Sequence, residues 1–149
     1  MEQRTILLVE DNPDDEALTR RALQQNKIHN TLFVVHDGAE ALDYLFASGA
    51  YSARDADSMP EVVLLDLKLP KIDGLEVLRR MRADERTRLL PVVVLTSSNE
   101  EQDIVSSYRL GANSYIRKPV DFSQFIDTVR QLGLYWLVLN VPLPRQRGG

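Results

Sequence analysis

The 149-residue chain has no cysteine, so disulfide staples and thiolate metal sites are both excluded. It has two histidines, His29 and His36, and neither stands with acidic residues at the end of an apolar run. Both read as surface or turn residues rather than metal ligands or catalytic bases. No apolar run reaches the ~18–20 residues that a membrane span requires. Basic residues are not in excess: 18 Lys and Arg face 22 Asp and Glu, for a net charge of −4. A nucleic-acid partner usually needs a basic face, and Arg145 and Arg147 are too few to make one. Met1 leads through Glu2 and Arg4 directly into a strand pattern, with no signal peptide in view. The expectation from these absences is a cytoplasmic protein with one domain's worth of chain.

The most informative feature present is a set of acidic residues at the ends of apolar runs. Ile6-Leu7-Leu8-Val9 runs into Glu10-Asp11, and Val62-Val63-Leu64-Leu65 runs into Asp66. Strands are read over Thr5–Val9, Leu32–Val35, Val62–Asp66, Val92–Thr96 and Ser114–Ile116. Helices are read over Asp14–Gln25, Ala39–Ala47, Gly74–Arg82, Glu101–Leu110 and from Asp121 onward. Five strand–helix alternations predict a parallel sheet covered by helices on both faces. Asn12-Pro13-Asp14 and Asp73 are expected to cap helices, and Gly111 to stop one. The inward stripes are assigned to Leu18, Ala22 and Leu23, to Ala39, Leu42 and Leu45, to Leu75, Leu78 and Met81, and to Ile104, Val105 and Tyr108. Ser48–Met59, rich in small and polar residues, lacks an apolar period and reads as a lengthened surface loop.

Ligands of an open α/β sheet bind outside the carboxyl ends of its strands. Four of the five strands deliver a polar group there: Glu10 and Asp11, Asp66, Thr96, and Lys118. Carboxylates that converge repel one another unless a cation neutralises them, and Mg²⁺ suits an all-oxygen site. A hydroxyl and an ammonium suit phosphoryl oxygens, and an Asp carboxylate can itself be a phosphoryl acceptor.

The set Glu10-Asp11, Asp66 with Pro70 and Gly74, Thr96, and Lys118-Pro119 resembles the receiver domain of bacterial response regulators. The resemblance covers roughly residues 4 to 133. It implies a flavodoxin-like, doubly wound (βα)5 sandwich with strand order 2-1-3-4-5. It implies Asp66 as the phosphoacceptor, charged by a sensor histidine kinase. Mg²⁺ is then held by Asp11 and Asp66 directly, by Glu10 through water, and by the backbone carbonyl of Lys68. Thr96 and Lys118 hold the phosphoryl group, and Thr96 with Tyr115 forms the conformational switch. Lys118-Pro119 is expected to be cis, and Lys68 and Ser98 to flank the phosphorylation site.

Nothing like an output domain follows the fifth helix, so the expected action is a protein-interaction switch or a relay intermediate. No enzymatic turnover is expected beyond the protein's own phosphorylation and dephosphorylation. Phe122, Phe125, Ile126, Val129 and Leu132 form the inner stripe of that helix. Leu134-Tyr135-Trp136-Leu137-Val138-Leu139 then continues it with apolar residues on every side, which demands cover. A homodimer would supply that cover; a tail folded back on its own domain is the alternative. The receiver unit is taken as residues 1–141, with a flexible tail over 142–149. The extension, the long loop before the third strand and the wording Asp66-Leu67-Lys68-Leu69-Pro70 resemble stand-alone regulators associated with bacterial phytochrome kinases. A Mg²⁺ aspartyl-phosphate phosphatase of the haloacid-dehalogenase type would need a second acidic residue two positions after the nucleophile, where this chain has Lys68. A phosphorylation-independent scaffold would be expected to lose part of the acidic set, all of which is present.

Overall fold

A computed structural model describes residues 5–25, 31–55, 58–97, 101–118, 123, 124 and 127. The elements are β1 (Thr5–Val9), α1 (Pro13–Gln25), β2 (Thr31–Val35), α2 (Gly38–Phe46), a 3-10 turn (Gly49–Tyr51), β3 (Val62–Asp66), α3 (Gly74–Ala83), β4 (Val92–Thr96), α4 (Glu101–Arg109) and β5 (Ser114–Arg117). All strand pairs are parallel, in the order β2-β1-β3-β4-β5. This is the expected doubly wound, flavodoxin-like order. The fifth helix with its Phe122–Leu132 stripe and apolar extension, the 142–149 tail, the Lys118-Pro119 bond, Ser98 and His29 lie outside the described residues.

The strands read as unbroken apolar runs because the central ones are covered on both faces. Every residue of β3 and β4 is buried. At the edge, β2 is exposed at Thr31 and only half-buried from Leu32 to Val34. The register sets up everything that follows. Val9 pairs with Leu65, which puts Glu10 abreast of Asp66. Asp66 pairs with Leu95, and Thr96 with Arg117. The chain therefore leaves β1, β3, β4 and β5 along one edge at Glu10, Asp66, Thr96 and Lys118.

Helix starts follow the capping expectation. Asn12 Oδ1 accepts the backbone N–H groups of Asp14 and Asp15 at 2.8 and 3.1 Å. Asp37 and Asp73 cap α2 and α3 by accepting from Glu40 and Glu76. Each cap satisfies amide groups that have no partner within the first helical turn.

Two inward stripes differ from expectation. In α1, Leu18 is 46 % exposed, while Thr19, Ala22 and Leu23 are buried. In α4, Val105 and Tyr108 face outward, Tyr108 at 50 % exposure, and the buried residue is Ser107. A small hydroxyl residue can be buried on a helix when it satisfies itself within that helix. Ser107 Oγ does so by donating to the Asp103 carbonyl at 2.7 Å.

The Ser48–Met59 stretch is the expected surface loop, and specific contacts hold its described part. Tyr51 packs edge-on against Phe33 and Tyr44, and its hydroxyl donates to Glu40 at 2.6 Å. Arg54 lies over the Tyr44 ring and donates to the carbonyls of Tyr44, Leu45 and Ser58. It thereby serves the open carbonyls at the end of α2.

Candidate functional site

Glu10 is fully buried, and its backbone N–H donates to Val35 at 3.0 Å, which fixes the end of β1 against β2. Its Oε2 accepts the Asn12 N–H at 3.2 Å, and its Oε1 lies 2.5 Å from Lys118 Nζ. Asp66 is 6 % exposed; its Oδ1 accepts the Lys68 N–H at 3.3 Å and its Oδ2 accepts from Lys118 Nζ at 3.0 Å. Asp11 is exposed at the rim. Glu10, Asp11 and Asp66 each offer a carboxylate oxygen, all within 4.8 Å of one another.

Lys118 reaches this cluster from the end of β5, with its side chain 8 % exposed. Its backbone N–H donates to the Thr96 carbonyl at 2.9 Å, which ties the ends of β4 and β5 together. Thr96 itself is fully buried. Tyr115 pairs with Val94 in register and packs, half-buried, against the core. Strand alternation puts it on the same face of the sheet as Thr96. Burial pushes its phenol up from the ordinary value.

Sequence reasoning missed Asp15. It lies on the first turn of α1, and its Oδ2 accepts from Lys118 Nζ at 3.0 Å. The pattern of acids at strand ends could not reveal it, because it belongs to a helix. Its place in the first turn, three residues after the Asn12 cap, was the only available sign. Lys68 is brought to the site by its backbone, while its side chain is exposed. His36 stays out of the site and pairs at the surface with Glu16, at 3.1 Å.

The electrostatics show what the site needs. Burial raises the Glu10 carboxyl to about 7; the Lys118 hydrogen bond works against this, and the Asp66 charge adds to it. For Lys118, burial alone would lower the ammonium. The hydrogen bonds with Glu10 and Asp15 and the Asp66 charge more than offset it, and the net shift is upward. One ammonium thus serves three carboxylates with Asp11 beside them. Glu10 Oε1 is buried, and its close partner is the Lys118 ammonium, which Asp15 and Asp66 also claim. Three carboxylates that can each offer an oxygen within 4.8 Å of the others, one of them buried with its pKa raised, fit a hard divalent cation with oxygen ligands.

Gly74 shapes the other wall. Its N–H donates to the Leu67 carbonyl at 2.8 Å, closing the loop after Asp66. A Cβ there would come within 2.3 Å of the Asp66 carbonyl oxygen. Glycine is needed for this close approach of backbones.

A doubly wound sheet that ends in these groups defines a receiver domain, and known proteins agree. The model of the response regulator receiver domain matches residues 6–130, and the chain belongs to that family. The solved bacteriophytochrome response regulator AtBRR is 53 % identical, with a TM-score of 0.84, covering 94 % of this chain and 99 % of that one. Response regulator Rcp1 of Synechocystis is 36 % identical over 141 residues, 95 % of this chain and 93 % of Rcp1. A solved Mn²⁺-bound form of Rcp1 is 34 % identical with a TM-score of 0.75, covering 95 % of this chain and 99 % of that one. The phosphorylated cyanobacterial phytochrome response regulator RcpA is 40 % identical with a TM-score of 0.76, covering 91 % and 95 % of the two chains. The chain is therefore a response regulator similar to those of phytochrome systems.

Proposed function

We propose that Asp66 accepts a phosphoryl group from a sensor histidine kinase of the phytochrome type, and that this switches the protein's interactions. The observation that carries the reading is the convergence of Glu10, Asp11, Asp66 and Lys118 at one sheet edge. Asp66 is the acceptor because it is central, nearly buried, and within 3.0 Å of Lys118 Nζ. Asp11 and Asp66 would hold the Mg²⁺ directly, Glu10 through water, and the Lys68 carbonyl would complete the set. When bound, Mg²⁺ supplies positive charge against the oxygens of the transferring phosphoryl group.

The chain's own residues do the rest. Lys118 donates to a phosphoryl oxygen, and Thr96 offers its hydroxyl from the end of β4. Attraction of Thr96 toward the phosphate frees space for Tyr115 to turn inward, which biases two pre-existing states rather than creating one. The reading has the protein cytoplasmic, homodimeric, and without turnover of other substrates. The receiver unit is 1–141 and 142–149 is a tail. Support for a phytochrome-type partner comes from the similarity to AtBRR, Rcp1 and RcpA.

Incubation with acetyl phosphate and Mg²⁺ tests this. The wild type is expected to gain one base-labile phosphoryl group per chain, and Asp66→Asn none. Full modification of the Asn variant would overturn the assignment. Continuous multiple turnover of acetyl phosphate would point instead to a phosphatase.

A further inference from the structure

Lys118 has three N–H donors and three carboxylates within 3.0 Å: Glu10, Asp66 and Asp15. Two of the three belong to the acidic cluster that can hold a metal ion; Asp15 does not. Among the described residues, Lys118 is the one ion-pair partner of Asp15. Asp15 is also held in place. Its backbone N–H is bound by the Asn12 side chain at the start of α1, and Asn12 in turn donates its N–H to Glu10. A short chain of contacts thus fixes Asp15 relative to the acidic cluster.

We propose that Asp15 is a positioning residue for phosphoryl transfer. It keeps the Lys118 ammonium beside Asp66 when a metal ion engages the Glu10 and Asp66 carboxylates. The inference rests on Asp66 being the phosphoacceptor. A lysine ammonium is a point charge on a flexible stem, and its rotatable donors do not orient themselves. Once a divalent cation draws on Glu10 and Asp66, the attraction holding Lys118 in the site weakens, and the cation repels it. Asp15 stands outside that set and loses nothing to the metal. It anchors one N–H and leaves the others for the phosphoryl oxygens. In the transfer, the bond from phosphorus to the leaving group breaks, and the leaving group departs with the electron pair. A bond from an Asp66 carboxylate oxygen to phosphorus forms. Lys118 keeps all its protons and only donates hydrogen bonds.

A structural role for Asp15 is the competing account, since an acidic residue in a first helical turn favours the helix dipole. Asp14 and Glu16 supply the same favour, so that account predicts little effect on transfer. The test uses the full chain with acetyl phosphate as donor and follows phosphoryl incorporation by mass spectrometry. Asp15→Asn is expected to slow incorporation at saturating donor by about ten- to a hundredfold, the scale of one charge-assisted hydrogen bond. Its Mg²⁺ affinity should stay within about twofold of wild type, since a direct ligand would lose far more. Asp15→Glu should recover part of the rate. The ¹⁵N-edited ammonium resonance of Lys118 should shift or broaden in Asp15→Asn. In a Lys118→Met background, Asp15→Asn should cause no further slowing. A wild-type rate in Asp15→Asn, an unchanged Lys118 resonance, or a loss confined to Mg²⁺ affinity would each overturn the inference and leave the Asp66 reading intact. Failure of the wild type itself to take up phosphate would overturn both.

Discussion

Glu10 carries a pH dependence whose sign can be worked out. Its folded-state carboxyl is raised to about 7 from an ordinary 4.5, chiefly by burial. The folded protein therefore binds more protons than the unfolded chain between those values. The stability gained from protonating Glu10 is fully present below about 4.5 and is lost as pH rises through about 7. Glu76 runs the other way, lowered to about 2 by its hydrogen bonds with Arg79 and Arg80. Its contribution is present above 4.5 and lost as pH falls toward 2, so the two windows do not overlap. In metal-free buffer, Glu10→Gln should be more stable than wild type at pH 8, by on the order of 1–3 kcal/mol. The gap should shrink to under about 1 kcal/mol by pH 5. Urea unfolding at both pH values checks this, and a gap that widens toward pH 5 would refute it. Mg²⁺ should reverse the ranking at pH 8, because the ion stabilises only the ionised carboxylate and binds only the folded chain.

At the scale of the elements, the loop from Asp66 to Gly74 is held from both sides. Gly74 donates back to Leu67, and Gly38, at the start of α2, donates to the Pro70 carbonyl at 3.4 Å. A Cβ on Gly38 would meet the Ile72 carbonyl oxygen at 1.8 Å. Either added methyl must push the loop that carries the Asp66 site. Gly74→Ala and Gly38→Ala should each cost about 1–3 kcal/mol, the usual range for overpacking a tight contact. Gly74→Ala should also weaken Mg²⁺ binding, since the clash is with the Asp66 backbone itself. Denaturant midpoints and Mg²⁺ calorimetry read the two effects separately. Unchanged values in Gly74→Ala would mean that the loop relaxes freely.

The same elements show what the sequence could and could not disclose. The strands were legible because sheet interiors demand long apolar runs, and the acids at their ends mark where each run meets water. The inward face of α1 was legible at Ala22 and Leu23 but not at Leu18, and that of α4 was not at Val105 and Tyr108, because hydrophobicity alone does not mark burial. Thr19 and Ser107 are buried, while Leu18 and Tyr108 remain outside. The Ser48–Met59 stretch was legible as a surface loop, but the contacts of Arg54 and Tyr51 back to α2 were not, because that pairing has no local period. Asp15 escaped because its partner, Lys118, is 103 residues away.

For the whole molecule, the decisive segment is Leu134-Tyr135-Trp136-Leu137-Val138-Leu139. Continued as the helix that the sequence predicts, this segment would be apolar on every side and would need cover on every side. Tyr135, Trp136, Leu137 and Leu139 would each forgo roughly 1.5–3 kcal/mol of burial if left in water. A two-fold contact between two copies recovers that burial on both chains at once, with one self-complementary surface. The protein is therefore expected to be dimeric at tens of micromolar. A Trp136→Glu, Leu139→Glu variant should be monomeric and still accept phosphate on Asp66, because the acidic site is built by the ends of β1, β3 and β5. Light scattering decides between this and a tail folded onto its own domain. In the folded-back case the wild type is already a monomer, and the variant keeps that mass while losing thermal stability. A variant that stays dimeric would place the interface elsewhere on the molecule.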